Sequence, residues 1–199
     1  MSDVIVVGGG PAGLSAALFT AKNGLETVVF DGDETWIHKA HLFNYPGIRS
    51  ISGDEFLKLT RGQVGDRGAD VRVGEPVTEI EVDTADDPDT EATDADRFRV
   101  ETDDDVSTGE YLVLATGADR SIAENLECAF DDDGTVDVDL NMETSVENLY
   151  ATGAMVRAEK WQAVIAAGDG AAAALDILST ERGDHFHDFD TPDDVPSLE

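Results

Sequence analysis

The sequence predicts an α/β fold: a parallel central sheet with a small antiparallel β-meander beside it. Three observations predict it. Residues 4–7 are Val4, Ile5, Val6 and Val7, a β-branched run suited to a strand buried on both faces. Residues 12–23 carry Leu14, Ala17, Leu18 and Ala21 at helical spacing, and Gly24 stops the run. Residues 27–30 are a second apolar run, closing at Asp31. Strand, helix and strand in that order make a βαβ unit, whose parallel strands need the helix as a crossover.

The remaining elements follow from local pattern. Residues 32–47 form a loop too long and too aromatic for a plain turn, holding Trp36, His38, His41, Phe43 and Tyr45. Residues 52–67 read as a helix, with Ser52 as N-cap before Asp54 and Glu55. Residues 70–73 are a short strand, and residues 77–82 alternate apolar and polar as a half-buried strand does. Residues 84–96 read as an acidic hairpin tip between that strand and its return, residues 98–102. Residues 110–115 are a buried strand, 131–134 a turn, and 149–152 another strand. Residues 160–178 form a helix of small residues, which permits close backbone approach. The region from 180 onward is acidic and holds Pro192 and Pro196, as a loose tail would. The pattern gives one domain over residues 1–180 and an acidic, flexible tail over 181–199.

Charge bounds the partners. The 199 residues hold 44 acidic and 13 basic side chains, for a formal net charge of −31. Such a surface repels nucleic acid and anionic membranes. It fits either a basic partner or a halophilic protein, kept soluble in salt strong enough to screen its own repulsion. The spread of the acids along the whole chain favours the second. Cys128 is the single cysteine, so no internal disulfide forms, which fits a cytoplasmic, reducing location. No run resembles a signal peptide. Residues 163–178 are interrupted by Gly168, Asp169, Gly170 and Asp176, so no stretch is expected to reach the length of a membrane span. His185 and His187 lie in the tail without further ligands, so no metal site is expected.

Between the first strand and the first helix stands Gly8-x-Gly10-x-x-Gly13. Gly8 permits the turn, Gly10 lets the backbone approach a pyrophosphate, and Gly13 lets helix and strand pack closely. The helix N-terminus offers free N–H groups and the positive end of its dipole to an anion. Asp31, at the end of the second strand, is placed to accept from ribose hydroxyls and to repel a 2′-phosphate. The motif in this setting gives a Rossmann-like dinucleotide fold. Leu114-Ala115-Thr116-Gly117-Ala118 and its echo Tyr150-Ala151-Thr152-Gly153-Ala154 form a second glycine-marked pair.

These segments together carry a resemblance. Residues 6–17, the Phe43-Asn44-Tyr45-Pro46-Gly47 loop, residues 144–153 and residues 162–170 resemble, in order, the FAD-binding domain of the thioredoxin reductase-like, two-dinucleotide-binding flavoproteins. The resemblance covers roughly residues 3–178 and implies FAD bound in extended form. Gly8, Gly10, Pro11, Ala12 and Gly13 would then hold the pyrophosphate, Asp31 the adenosine ribose, and Val77 the adenine. Asn44, Thr116, Gly117, Gly153, Gln162 and Ala163 would lie by the ribityl chain or the flavin. A helix N-terminus at Gln162-Ala163 suits the negative charge of a reduced flavin.

The chain departs from that family in three places. The inserted NADPH domain with its Cys-x-x-Cys pair has no counterpart after Ala118, because residues 119–149 are too few to hold it. Ala154 stands where the family has an Asp that accepts from the ribityl chain. Trp161 stands where it often has Arg, placed to stack on the flavin, to cover it, or simply to pack. His38, Lys39 and His41 are positive groups in the loop by the site, but the sequence assigns no catalytic residue. Two functions stay open. One is a flavin oxidoreductase served by an external donor, a ferredoxin, a small thiol or a free nicotinamide. The other is a non-catalytic FAD- or ADP-binding or dimerisation module. In both, the surface bared by the missing domain suits a homodimer.

Overall fold

The computed structural model describes residues 1–82 and 97–190. The hairpin tip expected over residues 84–96 and the last part of the tail, residues 191–199, lie outside the described residues.

The βαβ unit forms as read: β1 (Ser2–Val7), α1 (Pro11–Lys22) and β2 (Thr27–Asp31). Then come β3 (His41–Leu42), β4 (Ile51–Ser52), α2 (Gly53–Asp66), β5 (Asp70–Val73), β6 (Val77–Val82), β7 (Phe98–Thr102) and β8 (Val106–Leu114). The chain continues through α3 (Ser121–Asn125), β9 (Leu149–Ala151) and α4 (Ala163–Arg182). Ser52 caps α2 as expected, its hydroxyl accepting from the Glu55 N–H at 3.3 Å. The long loop after β2 is partly ordered by a 3₁₀ turn, Trp36–Lys39, and by the two-residue pairing of β3 with β4.

The main sheet runs β5-β2-β1-β8-β7-β6, with β9 on the other side of the inner half of β8. β5, β2, β1, β8 and β9 pair in parallel, whereas β6, β7 and the outer half of β8 are antiparallel. This explains why β8 is longer than the strand read at residues 110–115. Its first residues, Val106–Gly109, pair with β7, and from Gly109 onward it pairs in parallel with β1, its apolar end from Leu112 lying between β1 and β9.

Alternation along the buried strands divides the core into two faces. Val4 and Val6 pack with Leu14, Ala17, Tyr111, Tyr150 and Ile177 on the helical side. Ile5 and Val7 pack with Phe98, Val100, Leu112, Leu149 and Met155 on the meander side. α1 and α4 lie against each other closely enough that a side chain at Gly170 would overlap the Ala12 carbonyl.

α4 differs from its reading at both ends. It starts at Ala163 rather than residue 160, because Gln162 is extended (φ −127°, ψ 141°). It runs past Leu178 to Arg182, a length of 20 residues, of which an 18-residue stretch has mean hydropathy 1.3. That corrects the expectation that no stretch has the length and composition of a membrane span: its alanines outweigh Asp169 and Asp176. In the fold one face of it, with Ala173 and Ile177, packs on the core, and it is tied to the sheet by Tyr150 donating to Asp176 and Tyr111 donating to Glu181, each at 2.9 Å. Both phenols are pushed up by burial and by the acid beside them. Beyond Gly183 the chain turns back on α1, where Lys22 pairs with Asp188 at 2.6 Å and Asp190 at 2.5 Å. The described part of the tail is therefore tied down at Lys22.

Candidate functional site

The glycine turn stands where β1 meets α1. Gly8 has φ 113°, a conformation that disfavours any other residue, and a side chain there would run into the Ala115 backbone. A side chain at Gly13 would overlap the Gly8 carbonyl, so strand and helix touch backbone to backbone. Gly10 is the N-cap of α1 and supplies no side-chain acceptor, Pro11 follows it, and the first turn holds no acid. The helix start thus keeps its N–H donors and positive end free for an anion.

The structure shows a requirement at Gly9 that the motif does not state. A side chain at Gly9 would overlap the Asp31 carboxylate, so that acid lies directly on the turn. Asp31 is buried, and Arg61 of α2 donates to its Oδ2 at 2.5 Å while the Asp33 N–H donates to Oδ1 at 2.8 Å. Arg61 also donates to Asp33 at 2.5 Å, which holds the Asp33 carboxyl below its usual range. The chain of charges continues to His38, whose Nε2 lies 2.9 Å from Asp33 and whose Nδ1 lies 2.6 Å from Asp54. Sequence reasoning placed Asp31 at the ribose but missed Arg61, which looks from sequence like one more polar residue on a helix face.

Val77 opens β6 beside this corner. The N–H groups of Gly74 and Glu75 both donate to the Asp31 carbonyl, and Pro76 stands by Gly32. The meander therefore brings Val77 to the end of β2, where an adenine held by the ribose anchor would lie.

The other expected residues lie by the starts of α1 and α4. Gly153 (φ 72°) is wedged between Ala12 and Ala166, where a Cβ would stand 3.3 Å and 3.5 Å from their methyls. Thr116 donates its hydroxyl proton to the Asp119 carbonyl at 2.6 Å, and Gly117 beside it is exposed. Asn44 and Gln162, 118 residues apart, are joined by a 2.7 Å hydrogen bond from Asn44 Nδ2 to Gln162 Oε1. Gln162 is the N-cap of α4 but spends its side chain on Asn44, so the helix start at Ala163 again keeps its donors. A cleft of about 310 Å³ reaches from Pro11 and Ser15 past Tyr45 and Ile48 to Phe56 and Ala167. A wider hollow of about 520 Å³ is lined by Phe43 to Arg49.

The other candidates fall elsewhere. Cys128 is buried in the core on the meander side, and burial pushes its thiol up, so it is a packing residue there. His41 faces Ser50 at 2.8 Å and lies against Phe43. Among the described residues no group of His, Cys, Asp and Glu is placed to hold a metal ion. Ala154 presents only a methyl group where a carboxylate would accept from a ribityl hydroxyl, and its carbonyl accepts from Arg120 at 3.2 Å.

His38 gives the first testable outcome. Asp54, then Asp33, favour its charged form, so its pKa is raised above the usual value. A raised pKa in the folded state means the contribution is fully present below the unfolded value of about 6.5 and is lost as pH rises through the folded one. Urea midpoints should therefore fall between about pH 6 and about pH 9 by the equivalent of a few tenths of a kcal/mol, small because the pair is partly exposed. In His38→Asn that fall should vanish; a slope unchanged by the substitution would show that other groups set it.

The chain matches the family model of pyridine nucleotide-disulphide oxidoreductases in two overlapping stretches, residues 2–119 and 46–171. It is 34% identical over 120 residues to thioredoxin reductase tcpT of Claviceps purpurea, covering 59% of this chain and 35% of that protein. It is also 34% identical over 121 residues to a thioredoxin reductase of Aquifex aeolicus, covering 58% and 34%. The chain thus spans about a third of the length of the curated relatives it matches. Its fold resembles a solved thioredoxin reductase of Gloeobacter violaceus, with a TM-score of 0.80 at 22% identity over 96% of this chain and 99% of that chain.

Proposed function

The chain belongs to the pyridine nucleotide-disulphide oxidoreductase family, and on that premise we propose that it holds FAD in extended form and works as a flavin oxidoreductase with an external donor. The single observation that carries this reading is the closeness of two uncapped helix starts, those of α1 and α4, with Gly153 between Ala12 and Ala166 and with Asn44 bonded to Gln162 at the start of α4. The residues fit the cofactor at each point. Side chains at Gly8, Gly9 and Gly13 would run into Ala115, Asp31 and the Gly8 carbonyl, so the turn has to stay bare, and at Gly10 a Cβ would stand 3.3 Å from the Thr35 hydroxyl. Pro11, Ala12 and Gly13 would present the α1 start to the pyrophosphate. Asp31, held by Arg61, would accept from the adenosine ribose, with Val77 at the adenine. Thr116, Gly117 and Gly153 would line the middle of the groove. Gln162 and Ala163 would face the ring, and the α4 start would favour negative charge there.

Bound flavin would supply the redox chemistry; the chain supplies orientation, burial and that field. The donor would be a ferredoxin, a small thiol or a free nicotinamide. The sequence's one cysteine is buried, so a dithiol step has no group here. Leu59, 60% exposed at the edge of the cleft, suits a homodimer contact. The second reading, a nucleotide-binding module without catalysis, is favoured by Ala154 and by the absence of the inserted domain between Ala118 and Tyr150. The Ala154 position lacks one acceptor to a hydroxyl, a loss of about 1 kcal/mol and about 3 if the hydroxyl stays unpaired.

Purification in strong salt and a visible spectrum test the proposal. A yellow protein whose colour bleaches with dithionite and returns in air supports it. A colourless protein that gains no thermal stability from added FAD would overturn it. NADH added in place of dithionite then tells a nicotinamide donor from the others. Asp31→Ala should raise the FAD dissociation constant by about ten- to a hundredfold, the worth of one charge-assisted bond. An unchanged constant would remove the ribose assignment and leave the cofactor in place.

A further inference from the structure

Trp36 and Trp161 are the only two tryptophans of the sequence, and they meet in one contact, ring centroids 5.3 Å apart and planes inclined at 55°. Residues of this type bury most of their surface on average. These two stay 56% and 43% exposed. Trp161 is nevertheless fixed, since its Nε1–H donates to the Arg157 carbonyl at 2.7 Å. The Arg157 guanidinium is in turn paired with the buried Asp169, at 2.9 Å and 2.5 Å. Trp36 rides on a turn capped by Thr35, whose hydroxyl accepts from the Ile37 N–H at 3.4 Å. The Thr35 hydroxyl oxygen stands 3.3 Å from where a Cβ at Gly10 would lie.

Trp36 therefore belongs to the wall beside the glycine turn, and Trp161 to the wall formed by the start of α4. The same two walls touch a second time through Asn44 and Gln162. Both contacts join the loop after β2 to the residues at the start of α4. On the extended-FAD reading, a dinucleotide anchored at Gly10 and reaching Gln162 passes close to both contacts.

We infer that Trp36 and Trp161 form an aromatic clasp over the nucleotide groove, parting to pass the dinucleotide and closing across it. The inference rests on the extended-FAD reading. A clasp and a plain stacking contact differ in kinetics. A closed clasp slows entry and exit alike, whereas a residue that only touches the bound ligand slows exit alone.

Stopped-flow mixing of FAD with the full chain in strong salt reads the difference, by flavin emission and by tryptophan emission, which reports this pair alone. In Trp161→Ala and Trp36→Ala, both rate constants should rise about tenfold, the worth of one aromatic pair, with the dissociation constant within about threefold of the parent. Trp161→Phe should restore most of the delay. Trp36→Ala leaves the Arg157 bond intact and keeps the test valid if Trp161→Ala fails to fold. Faster dissociation alone, or two unchanged rates, overturns the clasp while FAD binding stands. A parent chain that does not bind FAD overturns the clasp and the cofactor reading together.

Discussion

Gly170→Ala is expected to destabilise the fold by about 3 kcal/mol or more, while Gly168→Ala, two residues earlier on the same helix, is expected to stabilise it by up to about 1 kcal/mol. The opposite signs follow from what each new methyl group meets. At Gly168 it meets nothing within 4 Å, so only helix propensity changes. At Gly170 it overlaps the Ala12 carbonyl oxygen, and it stands 2.9 Å from that carbonyl carbon and 3.1 Å from the Ala16 nitrogen. Those are backbone atoms of α1, which cannot rotate aside as a side chain can. The helix has to move outward, and the core face it shares through Leu14, Ala17 and Ile177 opens with it. Ala12 lies in the first turn of α1, so the same displacement shifts the N–H groups that face the pyrophosphate. Urea unfolding of the two variants measures the stabilities, and FAD titration measures the consequence at the site. Equal effects of the two substitutions would show that α1 and α4 do not approach as closely as described.

The parts of this molecule legible in the sequence are those whose physics is local. β1, the glycine turn and α1 could be read because an apolar run, a helical spacing and a stop signal sit within one stretch of chain. Ser52 could be read because a cap and its acceptor role are set by three neighbouring residues. The site was legible as a set of separate positions, each named through a resemblance, but not as contacts. The bond between Asn44 and Gln162 spans 118 residues, and neither residue announces the other. Gly9 and Arg61 were missed for the same reason. Gly9 is constrained by a carboxylate from the next strand, and Arg61 meets Asp31 only because α2 packs beside the βαβ unit. The first residues of β8, Val106–Gly109, were missed because Ser107 and Gly109 weaken the strand pattern, and pairing with β7, and with β1 at Gly109, overrides propensity there. α3 has five residues, too few to show a period.

Arg157→Ala is the second substitution with a large expected effect. Its partner Asp169 keeps only 7% of its side chain exposed, on α4 nearly two turns past the helix start. The two oxygens of Asp169 accept from Nε and Nη2 of Arg157, at 2.9 Å and 2.5 Å. Removing the guanidinium leaves a carboxylate inside the fold without its cation, a change that costs about 3–5 kcal/mol in a dry site. Arg157 is itself 33% exposed, so water enters where it stood, and the expected loss drops to about 2–3 kcal/mol. The loss belongs to the stranded charge rather than to the missing pair. Arg157→Met with Asp169→Leu should therefore recover most of it and come within about 1 kcal/mol of the parent. Tryptophan emission adds a second readout, because the Arg157 carbonyl holds the Trp161 indole and loses its anchor when the guanidinium goes. In Arg157→Ala the emission should shift to the red as the Trp36–Trp161 contact loosens. In the double variant it should stay shifted even though stability returns, since packing restores the helix start but not the anchored carbonyl. A double variant as unstable as Arg157→Ala would mean that Asp169 holds α4 through something other than Arg157. A double variant with parental emission would separate the tryptophan contact from the ion pair beneath it.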